Sequence, residues 1–295
     1  MKRVRRGFRR GAWALLAAVG LSIITVEIFG AAIINGLSTN SVYREAAGIA
    51  YGEHPRQVLD VYAPAGAGSA APVLLFFYGG GWTEGTRADY EFVASSFTRE
   101  GYLVVLPDYR LHPEVTFPAF VEDAAAAATW VQEHAADHGG DPETIFLAGH
   151  SAGAYLAAHL ALWPDKVLEA GGDPAGFAGL IGLAGPYDFL PLDEGSVLEE
   201  IFPEATRNES QPIHHVNAAS ALPPVLLVHG TADERVWPRN SRRLAAALER
   251  RDADVTLITY EGIGHVRLAA SLAPVLDFLS PARRDVLDWL SARNR

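Results

Sequence analysis

Along this chain, short unbroken apolar runs alternate with longer stretches in which apolar residues recur at helical spacing. Val73–Phe77 is five apolar residues in a row, the pattern of a strand buried on both faces. Similar runs lie at Leu103–Leu106, Thr144–Leu147, Leu180–Leu183, Val225–Val228 and Val255–Tyr260. Helical spacing falls between or after them, at Ala119–His138, Ala154–Leu162, Arg239–Arg251 and Ala282–Ala292. Strands alternating with helices predict an α/β fold, a mostly parallel central sheet with helices on both faces. Two earlier β-like runs, Glu45–Ala50 and Gln57–Tyr62, flank the turn residues Gly52-Glu53-His54-Pro55 and predict an antiparallel hairpin. Between Gly185 and Ala221 the rhythm breaks, and residues 186–221 read as a small lid over the carboxyl ends of the strands. Ligands of such sheets bind at those ends.

The first 36 residues have another pattern. Lys2, Arg3, Arg5, Arg6, Arg9 and Arg10 precede Ala12–Ala31, about 20 residues broken only by Glu27, which is the length needed to cross a bilayer core. Cations ahead of such a run hold the N-terminus in the cytoplasm and send the rest of the chain outward. Residues 1–36 are therefore expected to be a transmembrane anchor, with the remainder outside the cell. The alternative is a signal peptide cut near Gly30 or Ala32, which would release a secreted protein. Residues 37–56 make a linker and first strand, and residues 57–295 a single catalytic domain. The chain carries a formal charge of −11, of which +6 sits in the first ten residues, leaving −17 elsewhere. An acidic body repels phosphates and argues against a nucleic-acid partner. Cysteine is absent, which excludes disulfides and cysteine-ligated metal. No feature of the sequence sets an oligomeric state.

Candidate chemistry concentrates after the strands. Thr144–Leu147 runs into Gly149-His150-Ser151-Ala152-Gly153 and then an alanine-rich helix, so Ser151 sits at a sharp strand-to-helix corner with its hydroxyl exposed. Ala152, in the helix's first turn, has a backbone N–H with no internal partner. Tyr78-Gly79-Gly80-Gly81-Trp82 comes directly after a buried strand, and the N–H groups of Gly79 and Gly80 can join that of Ala152 as an oxyanion hole. Asp233 lies on the loop after Val225–Val228, with Glu234 as the neighbour facing away. His265 comes after the last strand in Glu261-Gly262-Ile263-Gly264-His265. Nucleophile, orienting acid and base are thus Ser151, Asp233 and His265. His150 and His229 read as packing residues, and His214 and His215 as a surface pair without metal-ligand partners. Tyr78, Trp82, Tyr187 and Phe189 are expected near the pocket mouth.

The order Ser151, Asp233, His265, with the Gly-x-Ser-x-Gly corner and the glycine loop, resembles the α/β-hydrolase fold and its serine carboxylesterases. It is most similar to the bacterial branch related to hormone-sensitive lipases, feruloyl esterases and kynurenine formamidases. Asp108-Tyr109-Arg110-Leu111 and Phe117-Pro118-Ala119 with Asp123-Ala124 resemble that branch's segment between glycine loop and nucleophile, and the likeness runs from about Gln57 to the C-terminus. It implies hydrolysis of carboxylic esters of small or medium acyl or aryl groups, with no metal or organic cofactor. One departure is Tyr78, where the family usually has the histidine that organises the glycine loop. Alternatives are a formamidase-type amidase, a peptidase or a non-catalytic anchored binding protein.

Overall fold

In a parallel sheet covered on both faces every side chain of a central strand is buried, and β3 (Ala71–Phe77) obeys this rule from Val73 to Phe77. Val73, Leu75 and Phe77 enter one apolar layer, and Leu74 and Phe76 the other. The computed structural model describes residues 33–36, 38, 44–65, 70–219 and 221–294. Its eight strands are β1 (Arg44–Ala50), β2 (Val58–Tyr62), β3, β4 (Leu103–Pro107), β5 (Gly140–His150), β6 (Phe177–Leu183), β7 (Val225–Gly230) and β8 (Val255–Tyr260). They form one sheet in the order β1-β2-β4-β3-β5-β6-β7-β8. β1, β2 and β4 pair antiparallel, and every other pair is parallel. The expected hairpin is present, closed by Tyr51 N–H donating to Gln57 C=O at 2.9 Å.

One face is covered by α2 (Ala119–His134), α3 (Ala152–Leu162), α4 (Pro164–Glu169) and α6 (Arg239–Glu249). The other is covered by α1 (Glu91–Thr98), α7 (His265–Ala270) and α8 (Ala282–Arg293). The expected helix 119–138 ends at His134 and tightens into a 3₁₀ turn over Ala135–His138, closed by Gly139 at φ +80°. α1, α4 and α7 were not expected. In α1 the pair Ser95-Ser96 interrupts the apolar pattern, yet both serines are buried. Ser95 donates to Ser38 C=O at 2.5 Å, and Ser96 accepts from Arg283 at 2.7 Å.

Residues 186–221 contain α5 (Val197–Ile201) and two 3₁₀ turns, Glu204–Thr206 and Pro212–His215. The expected transmembrane segment lies almost wholly outside the described residues, of which 33–36 are helical. Among the described residues no helix is long and apolar enough to cross a membrane.

Charged side chains hold the loops that enter the site. Asp123 is fully buried and accepts from Arg110 Nη2 at 2.7 Å, the Arg110 backbone at 2.8 Å and Gln57 at 2.7 Å. Arg87 joins Asp60 at 2.8 Å and also pairs with Asp108. Asp123→Ala would leave a partly buried guanidinium and two further donors uncompensated, and should destabilise the protein by about 3 kcal/mol. Urea denaturation followed by circular dichroism measures this, and a change within experimental error would show that the pair carries no stability.

Candidate active site

Ser151 has φ +55° and ψ −123°, a strained conformation for a residue with a side chain. It is forced by the corner between β5 and α3, where Ser151 N–H donates to Leu183 C=O at 2.9 Å while its own carbonyl accepts the first helical bond, from Tyr155. Two glycines permit the corner. A Cβ at Gly153 would lie 2.0 Å from the Phe77 carbonyl oxygen, and one at Gly149 2.3 Å from the Gly153 backbone.

The glycine loop closes on the serine from β3. A Cβ on Gly79 would stand 3.0 Å from Ser151 Cβ, so the loop backbone lies directly against the nucleophile candidate. Gly80 adopts φ +148°, and its carbonyl accepts from Thr83 and Glu84 at 3.1 Å. Among the described residues the N–H groups of Gly79, Gly80 and Ala152 donate no hydrogen bond. Behind the loop, Tyr78 is buried, its ring stacked on Tyr109 with centroids 4.5 Å apart. Its hydroxyl accepts from Arg56 Nη2 at 2.6 Å, and its carbonyl from the Tyr109 hydroxyl at 2.9 Å. Tyr78 therefore braces the loop from beneath and does not line the cavity, which corrects its placement near the mouth.

The acid and base candidates meet on the opposite side. His265 Nδ1 and Asp233 Oδ2 are 2.7 Å apart, with both side chains buried. Asp233 Oδ1 accepts from the backbone N–H of Arg235 at 3.0 Å and of Val236 at 2.9 Å, while Glu234 is exposed. His229, fully buried, approaches Asp233 Oδ2 at 3.3 Å. Its Nε2 lies 2.8 Å from the Val236 carbonyl, which can only accept, so the proton belongs on Nε2. Nδ1 then accepts from the Ser241 hydroxyl at 2.7 Å. Burial alone would raise the pKa of Asp233, but hydrogen bonds from His229, His265 and the Val236 N–H outweigh it and hold the carboxyl well below its ordinary range. An ionised Asp233 fixes the proton of His265 on Nδ1 and leaves Nε2 as an acceptor. His229 was expected only to pack. It supports the carboxylate directly, and its position at the end of β7, four residues before Asp233, was the signal available in the sequence.

Ser151 and His265 border the same cavity, of about 960 Å³, together with Gly79, Gly80, Trp82 and Phe189. The Ser151 hydroxyl makes no hydrogen bond among the described residues. His150 packs beside His265, its ring centroid 4.6 Å from that of His265 and its Nδ1 2.9 Å from the Tyr90 hydroxyl. Burial, reinforced by the His265 ring, pushes the pKa of His150 well below the ordinary histidine value, so it is neutral. Trp82 packs edge-on against Tyr155 and Phe202, with centroids 5.0 and 4.9 Å away, and forms an aromatic wall with Phe189. Tyr187 is not in that wall. It is fully buried with its hydroxyl against Gly182 and Gly185, at the end of β6, positions where a Cβ would overlap its ring. Its placement near the mouth is therefore also corrected. Of the supposed surface pair, His214 is exposed, but His215 is buried and stacks on Trp163 at 4.2 Å.

A family model described as BD-FAE matches residues 59–248, well over half of the chain. The chain belongs to the BD-FAE family. The matched region contains Ser151, Asp233 and the glycine loop and ends before β8 and His265. Among curated relatives, the chain is 32% identical over 244 residues to the probable isoprenylcysteine alpha-carbonyl methylesterase ICMEL1 of Arabidopsis thaliana, covering 75% of this chain and 50% of that one. It is 33% identical over 249 residues to esterase LipQ of Mycobacterium tuberculosis, covering 76% and 57%. The chain thus spans about half the length of the curated relatives it matches. Among solved structures it is similar to the propionate-bound form of a thermophilic esterase, Est2 of Thermogutta terrifontis. There the TM-score is 0.66 and the identity 26%, covering 85% of this chain and 92% of that one. The same esterase is also known phosphoramylated by tabun. The α/β-hydrolase fold of this BD-FAE chain is thereby shown.

Because the folded pKa of Asp233 lies below its ordinary 3.8, its ionised form stabilises the fold fully above that pH. The contribution is lost as pH falls from 3.8 through the depressed value. Thermal unfolding of the parent and Asp233→Asn should therefore show a gap in Tm at about pH 7 that shrinks at about pH 3. An equal gap at both would mean that the charge is not what stabilises this loop.

Proposed function

We propose that this chain is a serine hydrolase that cleaves carboxylic esters of small or medium acyl or aryl groups through an acyl-enzyme on Ser151. The observation that carries this reading is the buried Asp233–His265 pair at 2.7 Å, bordering one cavity with Ser151 while Gly79 lies against the serine. The esterase names of the relatives support it independently.

His265 Nε2 takes the proton of the Ser151 hydroxyl as Oγ bonds to the ester carbonyl carbon. The carbonyl π pair moves onto oxygen, where the N–H groups of Gly79, Gly80 and Ala152 receive the negative charge. Collapse of the tetrahedral intermediate breaks the bond to the alkoxy oxygen, and the alcohol leaves with the proton from His265. Water, deprotonated by the same nitrogen, then attacks the acyl carbon and releases the acid and free Ser151. Throughout, Asp233 holds the imidazole tautomer and stabilises the imidazolium. Trp82 and Phe189 bound the acyl group, and residues 186–221 wall the pocket. In the same reading Ala12–Ala31 anchors the chain in the cell membrane by a single pass, N-terminus in the cytoplasm and catalytic domain outside.

Ser151→Ala should lower hydrolysis of p-nitrophenyl acetate by about 10⁴-fold or more, with an unchanged circular dichroism spectrum. Turnover retained in a folded variant would remove Ser151 from the mechanism. A fluorophosphonate probe should label the parent and not the variant.

A further inference from the structure

Residues 33–36, which follow the apolar segment in sequence, lie beside the cavity. Asn35 fastens the chain to the site's outer wall, its Oδ1 accepting from Phe92 N–H at 2.9 Å and its Nδ2 donating to Ala88 C=O at 2.7 Å. Ser38 C=O accepts from Ser95 and Arg99 just beyond. Between these points and the apolar run, Ile34 lines the cavity itself. Ala31 is two residues before Ile33, so covalent geometry alone keeps it within about 7 Å of that residue. If Ala12–Ala31 crosses a bilayer, the membrane surface must lie at the cavity mouth.

The mouth is built for that contact. Ile33 is 61% exposed, and two residues that border the cavity, Trp237 and Val266, are 59% and 47% exposed. Arg239 also borders the cavity, its guanidinium 6.0 Å from the Trp237 ring. An exposed tryptophan beside an arginine is the side-chain chemistry of a headgroup layer. The wall on this side, Ile34, Phe92, Val266, Ala269 and Ala270, carries no charge. The chain beyond its first ten residues bears a net −17, which would hold an anionic surface off, so a rim of apolar side chains with Arg239 beside Trp237 is a face suited to approach lipid.

We infer that the rim formed by Ile33, Trp237 and Val266 docks on the outer face of the bilayer, and that the substrate is a lipid-dissolved ester. Its hydrocarbon tail lies along the Ile34–Ala270 wall, and it reaches Ser151 without crossing water. This rests on the anchoring reading above, and the test separates the two.

The chain has no cysteine, so single-cysteine variants of the full-length protein can each carry one environment-sensitive fluorophore. Val266→Cys and Trp237→Cys probe the rim. Glu143→Cys, exposed near the opposite end of β5, is the control. The full-length variants are reconstituted in phosphatidylcholine vesicles with or without brominated acyl chains, and checked by flotation. Both rim probes should lose emission in brominated vesicles while the control keeps its own. The parent in vesicles should hydrolyse bilayer-dissolved hexadecyl acetate as well as soluble p-nitrophenyl acetate. Failure to float would overturn the anchor and this inference with it. Flotation with unquenched rim probes would leave the anchor standing and overturn the docked rim. Turnover of the soluble ester alone would overturn the lipid substrate.

Discussion

A strand that becomes a helix within one residue leaves that residue in a conformation side chains avoid, and here the residue is Ser151 at φ +55°. The strain persists because neighbours on every side fix it. Leu183 C=O holds the serine's amide, α3 begins at once on its carbonyl, and Gly149 and Gly153 let β3, β5 and α3 approach closer than any Cβ would allow. The same approach brings Gly79 against the serine. One steric constraint therefore presents the hydroxyl, aims the first turn of α3 at the space above it and places the glycine loop opposite. Relaxing the corner would disperse all three.

The acid side is organised by charge. A carboxylate with no solvent contact is tolerated only when its lone pairs are occupied, and Asp233 receives two backbone N–H groups and two imidazoles. Its charge then determines the tautomer of His265, and the hydroxyl of Ser241 together with the Val236 carbonyl determines that of His229. β5 supplies the serine, and the adjacent pair β7 and β8 supplies the aspartate and the histidine. Sheet order thus brings together residues 82 and 114 positions from the serine.

Each element was legible in the sequence to the degree that its signal is local. Apolar runs marked β3 to β7 because both faces of the central strands are covered, and a mid-β3 residue has no polar option. Glycines at 149 and 153 marked the corner because only their side-chain size fits. α1 was not legible, since two serines in its middle read as a loop until Ser38 and Arg283, 57 and 187 residues away, are seen to satisfy them. Tyr187 was misplaced for a related reason. An aromatic residue near a predicted mouth reads as pocket, yet Gly182 and Gly185 vacate a slot beneath β6 that only this ring fills. Tyr78 was misplaced as well, because the partner that holds its hydroxyl beneath the glycine loop, Arg56, lies on the hairpin, where no motif pointed.

Residues 186–221, expected as a lid, are fastened more like a wall. Asn240, just after the loop that carries Asp233, accepts from both Tyr187 and Asp188 N–H and donates to Trp237 C=O. Buried Gln211 accepts from Phe189 N–H at 2.9 Å, and Ile201 C=O accepts from Phe117 N–H at 2.9 Å. Phe202 is then buried between Trp82 and Phe117. A segment held at its start, middle and end by buried groups cannot swing as one flap without breaking several hydrogen bonds at once, each left unsatisfied in a dry interior. The side of the cavity nearest Trp82 and Phe189 is consequently a fixed shape. The opposite side, formed by Ile34, Val266 and Ala270, is bounded by the end of the N-terminal segment and one short helix, tied down chiefly through Asn35 and Ser38. Under the reaction proposed for Ser151, this division assigns size selection of the bonded group to the rigid wall and leaves the open wall for the hydrocarbon of the inferred lipid ester.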